Sequence, residues 1–255
     1  MSVAARTPVR RRPAVSFDPI QQLRAHEYVA EQIRRHIALR LVAPGEALPS
    51  ERELAAMFGV GRPTIQHALR VLEADRLVEA RRGRRGGTFV THPAEGSPVM
   101  DELIARLLRR RDELEELLVY RRAVEPTITR IAARTRTENN LTAMRDTIAK
   151  MVRATAEPEY MRLDTEFHLA VARATRNRHL TRAIEEIRMD LNDALSLLPE
   201  SETWHRRISG EHEAIFGAIE ACDPDAAGAA AELHVANSDK GVRAVLAAIG
   251  RRGGR

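Results

Sequence analysis

Two short helices joined by a glycine turn are the feature that most restricts what this chain can fold into. Residues 50–53 read Ser-Glu-Arg-Glu, a capping box in which the serine and the second glutamate bond each other's backbone amides at a helix N-terminus. Gly59 follows that helix and suits the left-handed conformation that ends it. Pro63 then stands in the first turn of another helix, where a missing N–H costs nothing. The sequence therefore predicts a helix-turn-helix.

The flanking segments extend this unit to a winged helix. Apolar residues recur every four positions within residues 20–41, which predicts an earlier helix. Residues 77–80 and 88–90 read as two short strands. The intervening residues 81–87 are rich in arginine and glycine, so we expect a flexible, basic hairpin beside the helices.

The rest of the chain is predicted to be helical. Seven further helices are expected, over residues 99–109, 112–134, 138–154, 159–174, 178–197, 202–221 and 224–248. The predicted fold is therefore mainly α, with an N-terminal winged helix-turn-helix (three helices plus a small β-wing) followed by an all-α seven-helix bundle. The predicted organisation is a disordered basic tail (1–17), a DNA-binding domain (18–92), a linker (93–98), the helical domain (99–248) and a flexible basic tail (249–255). The first tail is either a solvated leader or a phosphate-contacting arm.

Charge separates the two predicted domains. Residues 1–92 carry 16 basic and 9 acidic side chains, a net charge of +7, whereas residues 93–255 have a net charge of −2. A polyanion would attract the first part and be repelled by the second. The single cysteine, Cys222, excludes an internal disulfide framework and a multi-thiolate metal site. No apolar run reaches membrane-spanning length and none resembles a signal peptide, so we expect no membrane association and a cytoplasmic location.

The second helix of the pair presents polar side chains opposite its apolar stripe. Arg62 can bond a guanine edge, Gln66 an adenine edge, and Thr64 a phosphate or a thymine methyl group. Arg52 on the preceding helix and the arginines of the wing suit the DNA backbone or the minor groove. The same side chains also fit ordinary solvated helix faces. The residues predicted to contact DNA are Arg52, Arg62, Thr64, Gln66, Arg70, Arg82, Arg84 and Gly86.

These motifs resemble a known family. LPSERELA at residues 48–55, GVGRPTI at 59–65, ALRVL at 68–72 and GGTFV at 86–90 resemble the winged helix of the GntR family of bacterial transcription regulators. The resemblance implies that Arg52, Arg62, Thr64, Gln66 and the wing near residues 84–86 touch DNA. The chain departs from the family pattern at Gly61, usually serine, and at Gln66-His67, usually arginine-glutamate. The family's operator sequence is therefore not carried over.

A second group of candidate functional residues lies in the helical region. Asp164 and His168 are four residues apart and share one helix face, while His212 and His234 fall on two later helices. One carboxylate and three imidazoles suit a divalent metal ion such as Zn, Ni or Mn, with open positions for a ligand. Taken alone, the Asp-x-x-x-His pair is weak evidence for a metal site, and a pair on the surface or satisfied within the core is the favoured interpretation.

The helical region also resembles a family. RRAVEP at residues 121–126, DTEFH at 164–168, Asn177, Glu211-His212 and His234 resemble the FCD domain, the ligand-sensing module of the FadR subfamily. The resemblance implies that residues 99–248 bind an effector and dimerise, and that the metal ligands are Asp164, His168, His212 and His234. It also implies a small organic or sugar acid as the effector, with Arg121 as a carboxylate contact.

Each of three other side chains in the helical region has two possible interpretations. Arg121 either contacts the effector or forms an i,i+4 pair with Glu125. Asn177 either donates a hydrogen bond to the effector or is the C′ residue of a helix. Trp204 either lines the pocket or packs in the bundle.

The function predicted from these observations is that of a ligand-responsive transcriptional regulator without enzymatic activity. We expect a homodimer in which each winged helix reads half of an inverted repeat in double-stranded DNA. Repression relieved by a small carboxylate is the expected response. The alternatives are a metal-dependent hydrolase fused to a nucleic-acid-binding domain, which the position of Glu166 off the Asp164/His168 face disfavours, and a ligand-independent DNA-binding protein.

Overall fold

The computed structural model describes residues 24–83, 86–91, 96–154, 156–198 and 202–253. These residues contain ten helices and two strands. In chain order they are α1 (Ala25–Ala38), α2 (Glu51–Phe58), α3 (Arg62–Ala74), β1 (Val78–Arg81), β2 (Gly87–Val90), α4 (Pro98–Arg109), α5 (Arg111–Thr135), α6 (Glu138–Met151), α7 (Glu157–Ala174), α8 (Arg178–Leu195), α9 (Glu202–Glu220) and α10 (Pro224–Gly253). The predicted fold class, a winged helix-turn-helix followed by a helical bundle, is confirmed.

Helices α2 and α3 form the predicted helix-turn-helix. The Ser50 hydroxyl accepts a hydrogen bond from the Glu53 amide at 3.3 Å, and Glu53 Oε2 accepts from the Ser50 amide at 2.8 Å, so the capping box is formed. Gly59 ends α2 with φ of 64°, a backbone conformation that glycine adopts without steric cost. The predicted stripe of α3 is buried against α1, which gives this domain its own core; its members are Ile65, Ala68, Leu69 and Leu72.

Strands β1 and β2 form an antiparallel pair beside this core. Val78 pairs with Val90 at one end and Arg81 with Gly87 at the other. A Cβ atom at Gly86 would lie 2.6 Å from the carbonyl oxygen of Arg81 and 2.8 Å from that of Gly83. Real side chains never approach backbone so closely, so this tight connection requires glycine at position 86.

Helix α1 ends earlier than the predicted position 41. Its last turn closes with bonds from the Arg40 amide to the Ile37 carbonyl and from the Leu41 amide to the His36 carbonyl, the Schellman pattern. Arg40 takes the left-handed position with φ of 59°, which costs a non-glycine residue roughly 1–2 kcal/mol. The Arg40 guanidinium compensates by bonding Asp193 at 3.1 Å. The end of α1 is therefore set by tertiary contacts that its apolar spacing does not reveal.

The bundle follows the predicted helix boundaries closely, with one extension at the C-terminus. Helix α10 continues to Gly253, so residues 249–253, predicted as part of a flexible tail, are helical. Ile249 packs against the bundle core, and this contact extends the helix past the predicted end at 248. The predicted tail at 1–17, linker residues 93–95 and Arg84 lie outside the described residues.

Helix α8 is the main bridge between the winged helix and the bundle. Arg35 pairs with Glu185, Arg40 with Asp193, and Asn192 Nδ2 donates to the Ala38 carbonyl at 2.9 Å. Within the described ranges, no helix combines the length and the apolar character needed to cross a membrane.

Candidate metal centre and DNA-binding surface

Three helices of the bundle bring the predicted ligand set together. Asp164 and His168 come from α7, His212 from α9 and His234 from α10. One ring nitrogen from each histidine lies within 4.8 Å of those of the other two. Asp164 Oδ1 lies 3.4 Å from His212 Nε2 and 3.9 Å from His168 Nε2. Four residues that lie up to 70 positions apart in the sequence therefore face one point inside the bundle.

The donor set fits a divalent metal ion. All four side chains are buried, and the Nε2 atoms of His168 and His212 have no hydrogen-bond partner among the described residues. A buried polar atom without a partner is costly unless something else satisfies it. Three imidazoles and a carboxylate are the ligand types that borderline divalent ions such as Zn²⁺ accept.

Carboxylates behind two of the rings orient them toward this point. Glu125 Oε2 lies 3.3 Å from His168 Nδ1, and Glu211 Oε2 lies 2.9 Å from His234 Nδ1. Asn237 in turn donates to Glu211 Oε1 at 2.8 Å, which fixes that carboxylate. Outer partners of this kind set the tautomer of a ligating histidine and leave its other nitrogen free.

The site holds three of its groups in the protonation states that a metal ligand needs. Burial, together with the charge of the neighbouring rings, lowers the pKa of His212 well below its ordinary value. Burial and His168 lower the pKa of His234 to about 3. Burial alone would raise the pKa of Asp164, but Arg188 and the adjacent imidazoles outweigh it and hold that pKa well below its usual range. At neutral pH His212 and His234 are therefore neutral and Asp164 is ionised.

A small cavity adjoins the cluster. It is lined by Asp164 and His234, by two buried arginines, Arg121 and Arg188, and by an apolar wall that includes Trp204. Its volume of about 20 Å³ is room for one water molecule. Guanidinium groups are the donors best matched to a carboxylate. The cavity therefore has the chemistry of an acid-binding site, but it is too small for an organic acid without movement of its walls.

The structure places the three ambiguous residues differently. Arg121 forms the i,i+4 pair, with Nε 2.6 Å from Glu125 Oε1, and also lines the cavity, where its Nη1 donates to Ser238 Oγ at 2.6 Å. Trp204 lines the cavity and packs against the bundle core. The i,i+4 pair of Arg121 and the core packing of Trp204 are therefore present, and both residues also line the cavity, whereas the contact of Arg121 with an effector stays a prediction.

Asn177 lies on the surface and outside the described lining of the cavity. It is the N-cap of α8, with its Oδ1 accepting from the amides of His179 at 2.9 Å and Leu180 at 3.4 Å. Its interpretation as a C′ residue is wrong by one position, because Arg176 takes the left-handed conformation after α7 with φ of 55°.

Arg188 is the main residue of this site that the sequence analysis missed. It is 1% exposed, and its Nη2 donates to Asp164 Oδ2 and, at 3.1 Å, to Thr165 Oγ1. A signal for it exists, because Arg188 interrupts the apolar stripe formed by Ile184, Ile187 and Leu191. A charged residue inside a buried stripe is uncommon unless it is paired.

The predicted DNA-reading residues of the helix-turn-helix lie on or near its surface. Arg52, Arg62 and Arg70 are exposed, while Thr64 and Gln66 are half-buried. Glu51 accepts hydrogen bonds on Oε2 from Arg62 Nη2 at 3.3 Å and from Gln66 Nε2 at 2.9 Å. Glu51 therefore aligns two of the side chains predicted to read bases, a contact between helices that the sequence analysis did not identify.

The wing presents further donors. Arg82 and Gly86 are exposed at the β1–β2 connection, and Arg84 lies outside the described residues. Arg81 stacks over the Phe89 ring at 4.3 Å, which orients this arginine along the strand.

Comparison with known proteins agrees with the family resemblances of both the winged helix and the helical domain. The family described as "Bacterial regulatory proteins, gntR family" matches residues 25–90, and the FCD domain matches residues 116–237. The HTH-type transcriptional regulator LutR of Bacillus subtilis (strain 168) is 31% identical over 200 residues, covering 76% of this chain and 90% of LutR. The HTH-type transcriptional repressor NanR of Cronobacter sakazakii is 30% identical over 223 residues, covering 85% of each protein. The solved structure of E. coli McbR/YncC, 15% identical with a TM-score of 0.50, covers 87% of this chain and 98% of its own and supports the fold alone.

The two resemblances identified in the sequence are thus confirmed independently. The match at residues 25–90 contains the capped helix-turn-helix and the wing, and the match at residues 116–237 contains the buried cluster and most of the lining of its cavity. The chain therefore belongs to the GntR family of bacterial regulatory proteins, as a DNA-binding transcriptional regulator whose winged helix is followed by a ligand-sensing FCD domain.

Proposed function

We propose that this regulator represses transcription as a cytoplasmic homodimer and releases its operator when a small organic or sugar acid binds beside a divalent metal ion in the bundle. The observation that carries this proposal is the buried cluster itself, three imidazoles and Asp164 next to a cavity whose lining includes two buried arginines. Zn²⁺, Ni²⁺ or Mn²⁺ is the expected metal. NanR, one of the relatives, is named as a repressor, which supports the proposed sign of regulation.

Each group of the chain has a defined part in this proposal. Asp164, His168, His212 and His234 would hold the metal ion, and Glu125 and Glu211 would keep two of the rings oriented. The bound ion would supply a Lewis-acidic contact for one carboxylate oxygen. Arg121, which lines the cavity, would bond the carboxylate through its guanidinium.

The DNA-binding part follows from the winged helix. Arg62, Thr64 and Gln66 would face base edges in the major groove, while Arg52, Arg70 and the wing would contact the backbone. A two-fold symmetric dimer presents two such helices, so the operator would be an inverted repeat. The relatives are named as transcriptional regulators, which favours this function over a metal-dependent hydrolase.

A thermal-shift screen of the full chain tests the sensing part. The purified protein would be titrated with ZnCl2, NiCl2 and MnCl2 and with a panel of small organic and sugar acids, before and after chelation. A ligand at 100 times its dissociation constant adds about 2.7 kcal/mol to the folded state, which gives a clear shift. The proposal expects a metal shift and an acid shift that is lost on chelation.

A pair of variants provides the control. His212→Ala removes a proposed ligand, whereas His179→Ala removes an exposed histidine outside the cluster. The first variant should lose the metal and acid shifts, and the second should keep them. An acid shift that survives chelation, or that persists in His212→Ala, would contradict the metal-centred sensor.

A further inference from the structure

Asn192 is a buried polar side chain between the two domains. It is 0% exposed and lies on α8, and its Nδ2 group donates to one acceptor on each of two neighbouring helices. One bond runs to the Ala38 carbonyl of α1 at 2.9 Å, and the other to Thr165 Oγ1 of α7 at 3.3 Å. A rotated amide would place its oxygen against the Ala38 carbonyl, so the observed orientation is the one that both contacts require.

Thr165 connects Asn192 to the candidate metal centre. Its hydroxyl donates to the Met161 carbonyl at 3.1 Å and accepts from Asn192 and from Arg188 Nη2, at 3.1 Å in the latter case. One donor and two lone pairs are thus all in use. The same Arg188 nitrogen bonds Asp164, so an unbroken series of hydrogen bonds leads from the metal-facing carboxylate to the end of α1.

Helix α1 carries this connection on to the DNA-reading helix. Ala38 is the last residue of α1, and its carbonyl oxygen receives the hydrogen bond from Asn192. The next turn is held by Arg40, whose left-handed backbone is fixed by its bond to Asp193. Helix α1 packs along α3 in one hydrophobic core, and the rings of His26 and His67 stack at 3.8 Å across the two helices. A shift at the end of α1 would therefore reach α3 through this packing.

The cavity supplies the reason for a shift. Its volume of about 20 Å³ excludes an organic acid, so its walls must move when one binds. Arg188 and Leu195 of α8 are part of those walls, and α8 is also the platform on which α1 rests. With a metal ion present, Asp164 would be shared with Arg188, which would then be held less tightly.

We propose that Asn192 is the coupling residue that transmits the state of the sensing site to the winged helix, through the series Asp164, Arg188, Thr165, Asn192 and the Ala38 carbonyl. This proposal rests on the proposed metal centre and adds the route by which that centre acts on DNA binding. Loosening of the series on metal binding frees the end of α1 and thereby the position of α3.

Hydrogen–deuterium exchange on the full chain tests the coupling with ZnCl2 alone as the probe. Exchange in the last turn of α1 reports its local opening, although no described α1 residue touches the metal-facing atoms. Zinc should accelerate exchange there by at least about fivefold, the lower end of usual coupling between two sites. Asn192→Leu removes both donors at similar volume, and Thr165→Val removes only the hydroxyl that links Asn192 to Arg188. Because the two variants break the same series, the test can still be made if one of them fails to fold. Glu186→Gln, on the exposed side of α8, is the matched control.

The outcomes separate coupling from metal binding, which calorimetry measures in parallel. The proposal expects zinc affinity to stay within the wild-type range in both variants while the zinc response of α1 disappears, with Glu186→Gln behaving as wild type. A full zinc response of α1 in a variant that still binds zinc would overturn the coupling and leave the metal centre intact. Loss of zinc affinity in both variants would make Asn192 part of the site's structure and would overturn it as well. If zinc fails to bind the wild-type chain, the proposed metal centre fails and the coupling falls with it.

Discussion

Arg188 donates a hydrogen bond from Nη2 to Oδ2 of Asp164, so the carboxylate that faces the three imidazoles is also the counterion of a buried guanidinium. Two buried charges in such contact offset each other's loss of hydration, whereas either one alone would be strongly destabilising. Metal-free protein can therefore fold around the site with Asp164 ionised. The same pairing makes Asp164 sensitive to any second cation, which is the property that a sensor requires.

The first prediction is that the metal-free protein loses stability on mild acidification. The depressed pKa values of His212 and His234 mean that the unfolded state binds protons below about pH 6.5 while the folded state does not. Stability therefore falls as pH drops from 7.5 to 5.5, by roughly 1 kcal/mol or slightly more for each of the two imidazoles. The depressed pKa values of Asp164 and Glu125 also make stability fall on acidification. They do so at lower pH, where these carboxylates become protonated.

Urea unfolding in the presence of a chelator measures this effect. The wild-type free energy of unfolding should fall by about 2–3 kcal/mol between pH 7.5 and 5.5. His212→Gln should show about half of that change, because one of the two titrating groups is gone. A free energy of unfolding that is flat across this range would mean that these histidines are not held neutral by the fold.

The second prediction concerns the carboxylate behind His234. Glu211→Gln keeps the volume but weakens the hydrogen bond that orients the ring at 2.9 Å. Loss of such an outer partner usually lowers metal affinity by roughly 10–100-fold. Competition with a chromophoric chelator for Zn²⁺ measures the affinity, and Glu213→Gln, exposed two residues further along α9, is the control. Equal zinc affinity in the two variants would show that Glu211 does not support a ligand.

Local signals in the sequence were sufficient for the DNA-binding half. The Ser50 cap, the left-handed Gly59 and the stripe from Ile65 to Leu72 each depend on neighbours within one or two helical turns, so spacing along the chain determines them. The i,i+4 relation of Asp164 and His168 was readable for the same reason. Assigning His212 and His234 to the same site needed the family resemblance, since nothing local relates residues on separate helices.

Contacts between helices account for what the sequence did not reveal. Arg188, Asn192 and Glu51 owe their positions to the packing of one helix on another, and their own helices show at most an unexpected polar residue in a buried stripe. The end of α1 and the C′ residue after α7 were misplaced because Arg40 and Arg176 take left-handed conformations that glycine or asparagine usually supplies. In the case of Arg40, a tertiary contact with Asp193 makes the exception possible.

The third prediction assigns base reading to Arg62. Because no operator sequence is implied, a duplex would first be selected from a random library with the wild-type protein. Arg62→Ala should then lose about 1–3 kcal/mol of binding free energy and relax selectivity at one position of the site. Arg109→Ala removes the same charge from the exposed face of α4, outside the winged helix, and should change binding little. Fluorescence anisotropy titrations compare the three proteins. An equal loss of DNA affinity in both variants would show that Arg62 contributes only its positive charge and does not read a base.

The fourth prediction tests the wing through its two glycines. A methyl group at Gly86 would meet the Arg81 carbonyl oxygen at 2.6 Å, whereas at Gly87 it would meet only a carbon of the Phe89 ring at 3.6 Å, an ordinary contact. Gly86→Ala must therefore displace the hairpin backbone, which destabilises the wing by about 1–3 kcal/mol. DNA affinity should drop in Gly86→Ala and stay near the wild-type value in Gly87→Ala, while metal binding in the bundle is unchanged in both. If both alanine variants bound the selected duplex as the wild type does, the wing would not contribute to DNA binding. The DNA affinity of the winged helix would then have to come from α2 and α3.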